Sequence, residues 1–301
     1  MTGDMDALKT TPLTETFGVI VEGVDLSDVS AATFGALRML FEEHSALLFK
    51  GQDLSPEAHL RLGEMFGPIE DREADKRKPG EKAPVRPVSN ETEEGGVTGE
   101  MDLHTLNLKA NQLWHIDSTF LPVPALCNIL MGKVVTKTGG ETELASTRAA
   151  WAEMPEALKD RIRGRVLGHN FIRSREMISP ELAQQAQFTK WGAQRWPAVW
   201  PNPVNGREGL FIASHVYEVE GMGREEGAAL IAELMAFCTL PKFTYSHKWE
   251  VGDVLIWDQR AVLHRGRAWD YSEPRTLVSV CCSMTDADGL AAAREVVAAA
   301  G

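Results

Sequence analysis

Trp114-His115-Ile116-Asp117-Ser118 sets an imidazole and a carboxylate two positions apart. In an extended segment, residues i and i+2 point to the same side, so His115 and Asp117 can share one ion. A second imidazole lies far downstream in Trp257-Asp258-Gln-Arg-Ala-Val-Leu-His264-Arg-Gly266, at the end of what reads as a pair of strands. Two imidazoles and one carboxylate on one face of an octahedral ion leave three positions open, the facial arrangement of non-haem Fe(II) oxygenases. A closed structural zinc site uses four protein ligands instead. Open positions suit a reaction in which a chelating cosubstrate and dioxygen bind side by side. A lone His-x-Asp arises by chance in many chains, and Arg275 is what adds weight here. It opens the next apolar run, Arg275-Thr-Leu-Val-Ser-Val, where a planar guanidinium suits bidentate capture of a carboxylate. The plain alternative is a surface arginine at a strand start.

The segments that must position these residues read mostly as strands in the second half of the chain. Residues 17–25 alternate and are β-branched, and residues 46–49 are apolar throughout, so both predict strands. Between them, Phe34, Leu37, Leu40 and Phe41 recur at helical spacing over 31–43. Ser55-Pro56 predicts the start of a second helix, which stops at Gly67-Pro68. Residues 70–100 are highly charged and proline-containing, the texture of a disordered loop or a functional lid. Residues 125–135 predict a strand broken by Gly139-Gly140. Ser146 or Thr147 predicts the cap of a helix through Trp151, and helices are expected from Met154-Pro155 and over 181–190. Asn205-Gly206 is a hairpin signal leading into residues 210–213. An amphipathic helix over 224–237 precedes strands at 243–249, 253–257 and 275–282, and the alanine-rich 290–300 predicts a frayed helix. No βαβ alternation or glycine-rich dinucleotide fingerprint is present. The expectation is therefore a mainly β chain with flanking helices, an antiparallel double-sheet jelly roll. It is read as a single domain over 1–301, with a lid-like insertion at about 70–110 and a helical insertion at about 147–195.

The chain has 301 residues, 44% hydrophobic and 25% charged, which suits a globular protein and excludes collagen-like or disordered classes. No apolar run reaches the roughly 18–20 residues that span a bilayer. The opening MTGDMDALKTTPLTETFG lacks a basic segment before an apolar core and does not read as a signal peptide, so the expected location is cytoplasmic. Forty-three acidic against 31 basic residues give a net charge of −12, which argues against a nucleic-acid partner or an anionic membrane surface. The partner implied is a small molecule. The four cysteines, Cys127, Cys238, Cys281 and Cys282, show no metal-type spacing and read as small buried hydrophobes, the last two on opposite faces of a strand. Oligomeric state is not legible, a homo-oligomer being only the common case.

Together, Asn111-Gln-Leu-Trp-His115-Ile-Asp117-Ser-Thr-Phe120, Gly139-Gly-Glu-Thr142-Glu, and Trp257-Asp258 through His264-Arg-Gly266 with Arg275 resemble the taurine dioxygenase family of Fe(II)/2-oxoglutarate-dependent enzymes. Within it, the sequence is most similar to the dichlorophenoxyacetate dioxygenase branch, over about residues 15–285. The similarity includes Glu22-Gly-Val-Asp-Leu-Ser and Phe66-Gly-Pro68. The resemblance implies a double-stranded β-helix with iron held by His115, Asp117 and His264, the catalytic set. It implies that Arg275 and the Thr142 hydroxyl bind the distal carboxylate of 2-oxoglutarate. Dioxygen would complete the site, and the reaction would release succinate and carbon dioxide while hydroxylating a C–H bond. An aryloxyalkanoate-like acid is the nominal substrate, its ether cleaved through a hemiacetal. A sulfonate, a sulfate ester, an amino-acid derivative and a phosphorylated or nucleotide-like metabolite are the alternatives. Asp117 favours hydroxylation, because related halogenases carry a small residue in its place.

The sequence departs from the pattern at Ser279, where family members acting on small anions often carry a second arginine. Lys76, Arg77, Lys78, Arg86, Arg173, Arg175, Lys190 and Arg195 could compensate, but a solvated surface charge is the expectation for each. Asn111 is a substrate contact by family position or else a loop-stabilising hydrogen bond. His215 matches a histidine of the dichlorophenoxyacetate branch and lines the pocket or sits in the core. His104 is a weaker pocket candidate, and His44, His59, His169 and His247 are unassigned. Trp191, Trp196 and Trp200 are expected in core packing more than in a pocket wall. Two readings from other classes are a zinc hydrolase on the same ligands, which leaves Arg275 and Thr142 without a role, and a silent binding protein, which predicts a broken triad.

Overall fold

The computed structural model describes residues 8–300; residues 1–7, on which part of the leader reading rests, and residue 301 lie outside them. The strands are β1 (Lys9–Pro12), β2 (Val19–Glu22), β3 (Ala46–Phe49), β4 (Arg86–Ser89), β5 (Ala125–Val134), β6 (Thr142–Ser146), β7 (Val166–His169) and β8 (Gln194–Pro197). They continue with β9 (Val199–Pro201), β10 (Glu208–Leu210), β11 (Val216–Val219), β12 (Thr244–His247), β13 (Val254–Asp258), β14 (Val262–Gly266) and β15 (Thr276–Ser283). Seven form one sheet in the order β1-β2-β3-β13-β5-β15-β4. Its pairs are antiparallel except β2 with β3. β12-β6-β14 and β11-β7-β8 are three-stranded sheets, and β10-β9 a two-stranded one.

Period-2 alternation splits the large sheet into two faces. Leu47, Phe49, Ile129, Met131, Val254, Ile256, Val280 and Cys282 pack beneath the helices Ala31–His44 and Pro56–Phe66. Leu48, Leu130, Leu255, Trp257 and Leu277 face the other way, toward Leu144 of β6 and Val262 of β14. Both helices start as expected, with the Ser30 and Ser55 hydroxyls accepting from Thr33 N and Ala58 N. Ser146 caps the helix Thr147–Glu153 in the same way.

Strands with flanking helices are present, but the expected closed jelly roll is not. The seven-stranded sheet ends at two open edges, β1 and β4, and the β12-β6-β14 sheet facing it shares no ladder with it. The physical reason lies at the corners. Between β5 and β6 the chain turns through Gly139 and Gly140, both at positive φ, and between β13 and β14 it turns through residues 259–261. Each strand thus stops hydrogen bonding before it reaches the opposite sheet. Alternation reveals strand content, whereas closure depends on ladders between distant strands.

Smaller differences follow from tertiary pairing. Residues 70–100 are ordered enough to supply β4, which pairs with β15 at the sheet edge, and a helix, Leu103–Ala110, follows. The expected helix over 181–190 is two short ones, Pro180–Ala183 and Ala186–Thr189. Trp196 and Trp200 are buried in the core, as expected. Leu290–Ala300 is helical and seats Leu290 and Ala293 in the interior. Among the described residues, no helix is long and apolar enough to cross a membrane.

Candidate active site

The site is built where the segment before β5 meets β14. His115 N donates to His264 O at 3.0 Å and His264 N donates to His115 O at 2.9 Å, an isolated antiparallel bridge that joins residues distant in sequence. Asp117 shares a side with His115, and Ser118, at φ +59°, then turns the chain away. One donor atom each from His115, Asp117 and His264 falls within a 4.8 Å group. His115 Nε2 lies 3.6 Å from Asp117 Oδ1, and His264 Nε2 lies 3.4 Å from Asp117 Oδ2.

Their surroundings prepare them as ligands. His115 Nδ1 donates to Leu113 O at 2.7 Å, which fixes the tautomer and leaves the Nε2 lone pair facing the carboxylate. Burial holds the His115 imidazole below its ordinary range and pushes His264 down to about 3. Burial works to raise the Asp117 carboxyl, but His264, His115 and a hydrogen bond from Asn128 outweigh it and hold the group at about 2. Neutral imidazoles beside an ionised carboxylate are the donor set that a divalent cation takes. Asp117 is oriented from two sides. Gln259 Nε2 donates to Oδ2 at 2.7 Å while Gln259 Oε1 accepts from Asp117 N at 3.0 Å. Asn128 Nδ2 donates to the same Oδ2 at 3.0 Å. Ser279 Oγ donates to Asn128 Oδ1 at 2.8 Å and so sets which end of that amide faces Asp117.

The triad opens into a cavity of about 310 Å³. A larger groove of about 890 Å³, lined by Tyr217, Met222, Ile231 and Met235 among others, contains none of the ligating side chains. Arg275 and Thr142 line the smaller cavity. Arg275 is buried, donates to Gly140 O at 2.7 and 3.2 Å and lies 4.9 Å over the Trp269 ring. Burial lowers its guanidinium to about 10, and it forms no ion pair among the described residues. A Cβ on Gly140 would meet Arg275 Nε at 2.8 Å, so this glycine, at φ +72°, makes room for the guanidinium. Thr142 Oγ1 accepts from Trp249 Nε1 at 3.0 Å, which leaves its own hydroxyl proton free to donate.

Asn111 and His215 both line the cavity. Asn111 also accepts from Gly266 N through its backbone oxygen at 2.8 Å. His215 is buried, with its ring centroid 6.1 Å from that of His115 and 4.9 Å from that of Phe120. His104 lies at the rim with Nε2 2.6 Å from Ser89 O. Three arginines expected as solvated surface charges differ: Arg175 lines the cavity with only 7% of its surface exposed, Arg86 is half-buried on the cavity wall, and Arg77 is half-buried and paired with Asp71. Lys76, Lys78, Arg173, Lys190 and Arg195 are exposed as expected. Cys281 and Cys282 do face opposite ways, but Cys281 is half-buried on the cavity wall while Cys282 is in the core. Gln259, Asn128, Trp249 and Arg72 carry no sequence signal of their own, since each acts through a partner that only the fold supplies.

A model of the family described as taurine catabolism dioxygenase TauD, TfdA family matches residues 9–281. The alpha-ketoglutarate-dependent 2,4-dichlorophenoxyacetate dioxygenase of Cupriavidus pinatubonensis is 35% identical over 270 residues, covering 88% of this chain and 94% of that protein. The (S)-phenoxypropionate/alpha-ketoglutarate-dioxygenase of Sphingobium herbicidovorans is 30% identical over 279 residues, 90% of this chain and 93% of the other. The crystal structure of AAD-2 in complex with Mn(II) and N-oxalylglycine superposes with a TM-score of 0.86 at 28% identity, covering 93% of this chain and 98% of that one.

Proposed function

Since the chain belongs to the TauD, TfdA family of dioxygenases, we propose that it hydroxylates a C–H bond of a small organic acid, nominally an aryloxyalkanoate-like one. By family and by site it is an Fe(II)/2-oxoglutarate-dependent oxidoreductase. The observation that carries the reading is the convergence of His115, Asp117 and His264 on one face of a cavity whose wall includes the buried, unpaired Arg275. Iron held by the three side chains supplies the oxidising chemistry, in which 2-oxoglutarate and dioxygen are consumed, succinate and carbon dioxide leave, and one oxygen atom enters the substrate C–H bond.

The chain's own residues bind, orient and exclude water. Arg275 offers the distal carboxylate of 2-oxoglutarate a charge-assisted pair of hydrogen bonds, and the Thr142 hydroxyl, oriented by Trp249, adds a third. Trp257, Leu130, Leu277, Phe120 and Phe171 give the cavity apolar walls, which keep water from competing at the reacting carbon. In this reading Asn111 and His215, which line the cavity, contact the substrate. Residues 70–110 act as the cover of this one domain, a role supported by the cavity-lining Arg86, Asn107 and Leu108. With an aryloxyacetate, hydroxylation next to the ether oxygen gives a hemiacetal that collapses to a phenol and glyoxylate.

The test is to supply Fe(II), 2-oxoglutarate, oxygen and phenoxyacetate, and to follow succinate and phenol together. Equal release of the two, abolished without iron or 2-oxoglutarate, is expected. Succinate coupled only to a sulfonate, sulfate ester or amino-acid derivative would move the substrate class, and oxygen-independent release of phenol would overturn the oxygenase reading.

A further inference from the structure

The cavity holds two buried guanidinium groups with no anionic partner among the described residues, Arg275 and Arg175, and the cosubstrate accounts for one of them. Arg175 lies in the last turn of the helix Phe171–Glu176. Its Nη1 donates to Ser174 Oγ at 2.8 Å, but its Nε is buried without any hydrogen-bond partner. The plane lies 4.4 Å over the Phe171 ring and 5.2 Å over Phe188, which fixes the head rather than neutralising it. A buried charge left uncompensated is costly, and an anion bound beside it would offset that cost. Its neighbours place it on the substrate side. The Phe171 ring beneath it has its centroid 5.8 Å from that of His215, which in turn lies 6.1 Å from that of His115, whereas Arg275 sits against Gly140 and Trp269.

Arg72 stands beside it. Its guanidinium packs over Phe120 and Phe171 at 5.2 and 5.7 Å, and Nη2 donates to Ser118 Oγ at 2.9 Å. Unlike Arg175, it is already paired, with Glu70 at 2.6 Å. The backbone oxygen of Arg72 accepts from Lys190 Nζ at 3.1 Å, which ties its segment to the end of the helix Ala186–Thr189, the helix that carries Phe188. Position 279, where a second arginine is expected, is a serine spent on orienting Asn128.

We propose that Arg175, steadied by Arg72, is the group that binds the substrate's anionic head, taking over the charge that Ser279 lacks. This rests on the functional reading above. It names the substrate class as a small acid, carboxylate, sulfonate or sulfate, whose charged end lies at Arg175 and whose reacting carbon lies between Arg175 and the triad. Arg175 is a binding residue and touches no reacting atom.

The test uses the full-length protein with Fe(II) and 2-oxoglutarate under anaerobic conditions. Binding of phenoxyacetate, benzenesulfonate, phenyl sulfate and the neutral phenoxyacetamide is measured by calorimetry on wild type, Arg175→Gln and Arg175→Lys. Wild type is expected to prefer at least one of the anions to the amide. Arg175→Gln should lose about 10- to 100-fold of that affinity, the range for a charge-assisted bond, with little change for the amide, and Arg175→Lys should recover part of it. An iron–keto-acid absorption band that persists in Arg175→Gln shows that the oxygenase site is intact and the variant folded. No preference for any anion in wild type, or unchanged anion affinity in Arg175→Gln with that band present, overturns the proposal while leaving the oxygenase reading standing. Absence of the band in wild type itself is the separate failure of that reading.

Discussion

Gln259 is fully buried and makes both of its hydrogen bonds to Asp117, one to the carboxylate and one from the backbone amide. Gln259→Leu keeps the approximate volume and removes both. Losing a hydrogen bond to a charged group costs about 1.5–3 kcal/mol, but Asn128 still donates to the same carboxylate oxygen, so the low end applies. About 1.4 kcal/mol corresponds to a tenfold weaker hold on the metal, within the 10- to 100-fold range of outer-sphere substitutions. The Asp117 amide is left without its acceptor, which costs about 1–3 kcal/mol of folding stability. The assay is anaerobic Fe(II) calorimetry alongside thermal unfolding of the metal-free protein. Metal affinity within twofold of wild type, with melting lowered, would refute the orienting role and leave Gln259 as packing only.

Arg275→Met should raise the 2-oxoglutarate concentration needed for half-saturation by about 10- to 100-fold. Fe(II) affinity should stay unchanged, and equal loss of both would refute the assignment. Trp249→Phe removes the bond that orients the Thr142 hydroxyl and should weaken 2-oxoglutarate by a few-fold, about 1 kcal/mol, as read from the same titration. Gly140→Ala should reproduce the Arg275→Met defect, because the new methyl occupies the guanidinium's place; normal 2-oxoglutarate affinity in that variant would count against the packing argument. Burial pushes His59 down to about 4 and His169 down to about 3. Their folded values lie below the unfolded 6.5, so the unfolded chain binds more protons, and stability falls as pH drops from 6.5 toward 3. Near pH 5 these two should account for uptake of about two protons on unfolding. Both ring nitrogens of His169 are buried without partners, so His169→Leu should remove one of those protons and raise stability at pH 5; an unchanged slope of stability against pH would contradict it.

The triad was legible because coordination chemistry needs particular residue types, and His-x-Asp puts two of them on one side by the strand repeat alone. The bridge from His115 to His264 was not, since it is made between segments that only tertiary structure brings together. Helix starts at Ser55 and Ser146 were readable from local capping chemistry, as was the alternation that places Cys281 and Cys282 on opposite faces. The jelly-roll expectation failed where strands stop pairing at the corners 139–140 and 259–261, because strand content says nothing of which ladders close. Arg175 was misread for a related reason. A charged residue in a polar helix looks solvated until Phe171 and Phe188 are seen to enclose it.

The central claim is that His115, Asp117 and His264 hold an iron to which 2-oxoglutarate chelates while Arg275 secures its far end. The most direct measurement is an anaerobic visible spectrum of the purified protein with Fe(II) alone, with 2-oxoglutarate alone and with both. A charge-transfer band that appears only with both, and is lost in His264→Ala, is the predicted result. No band with both present would contradict the account.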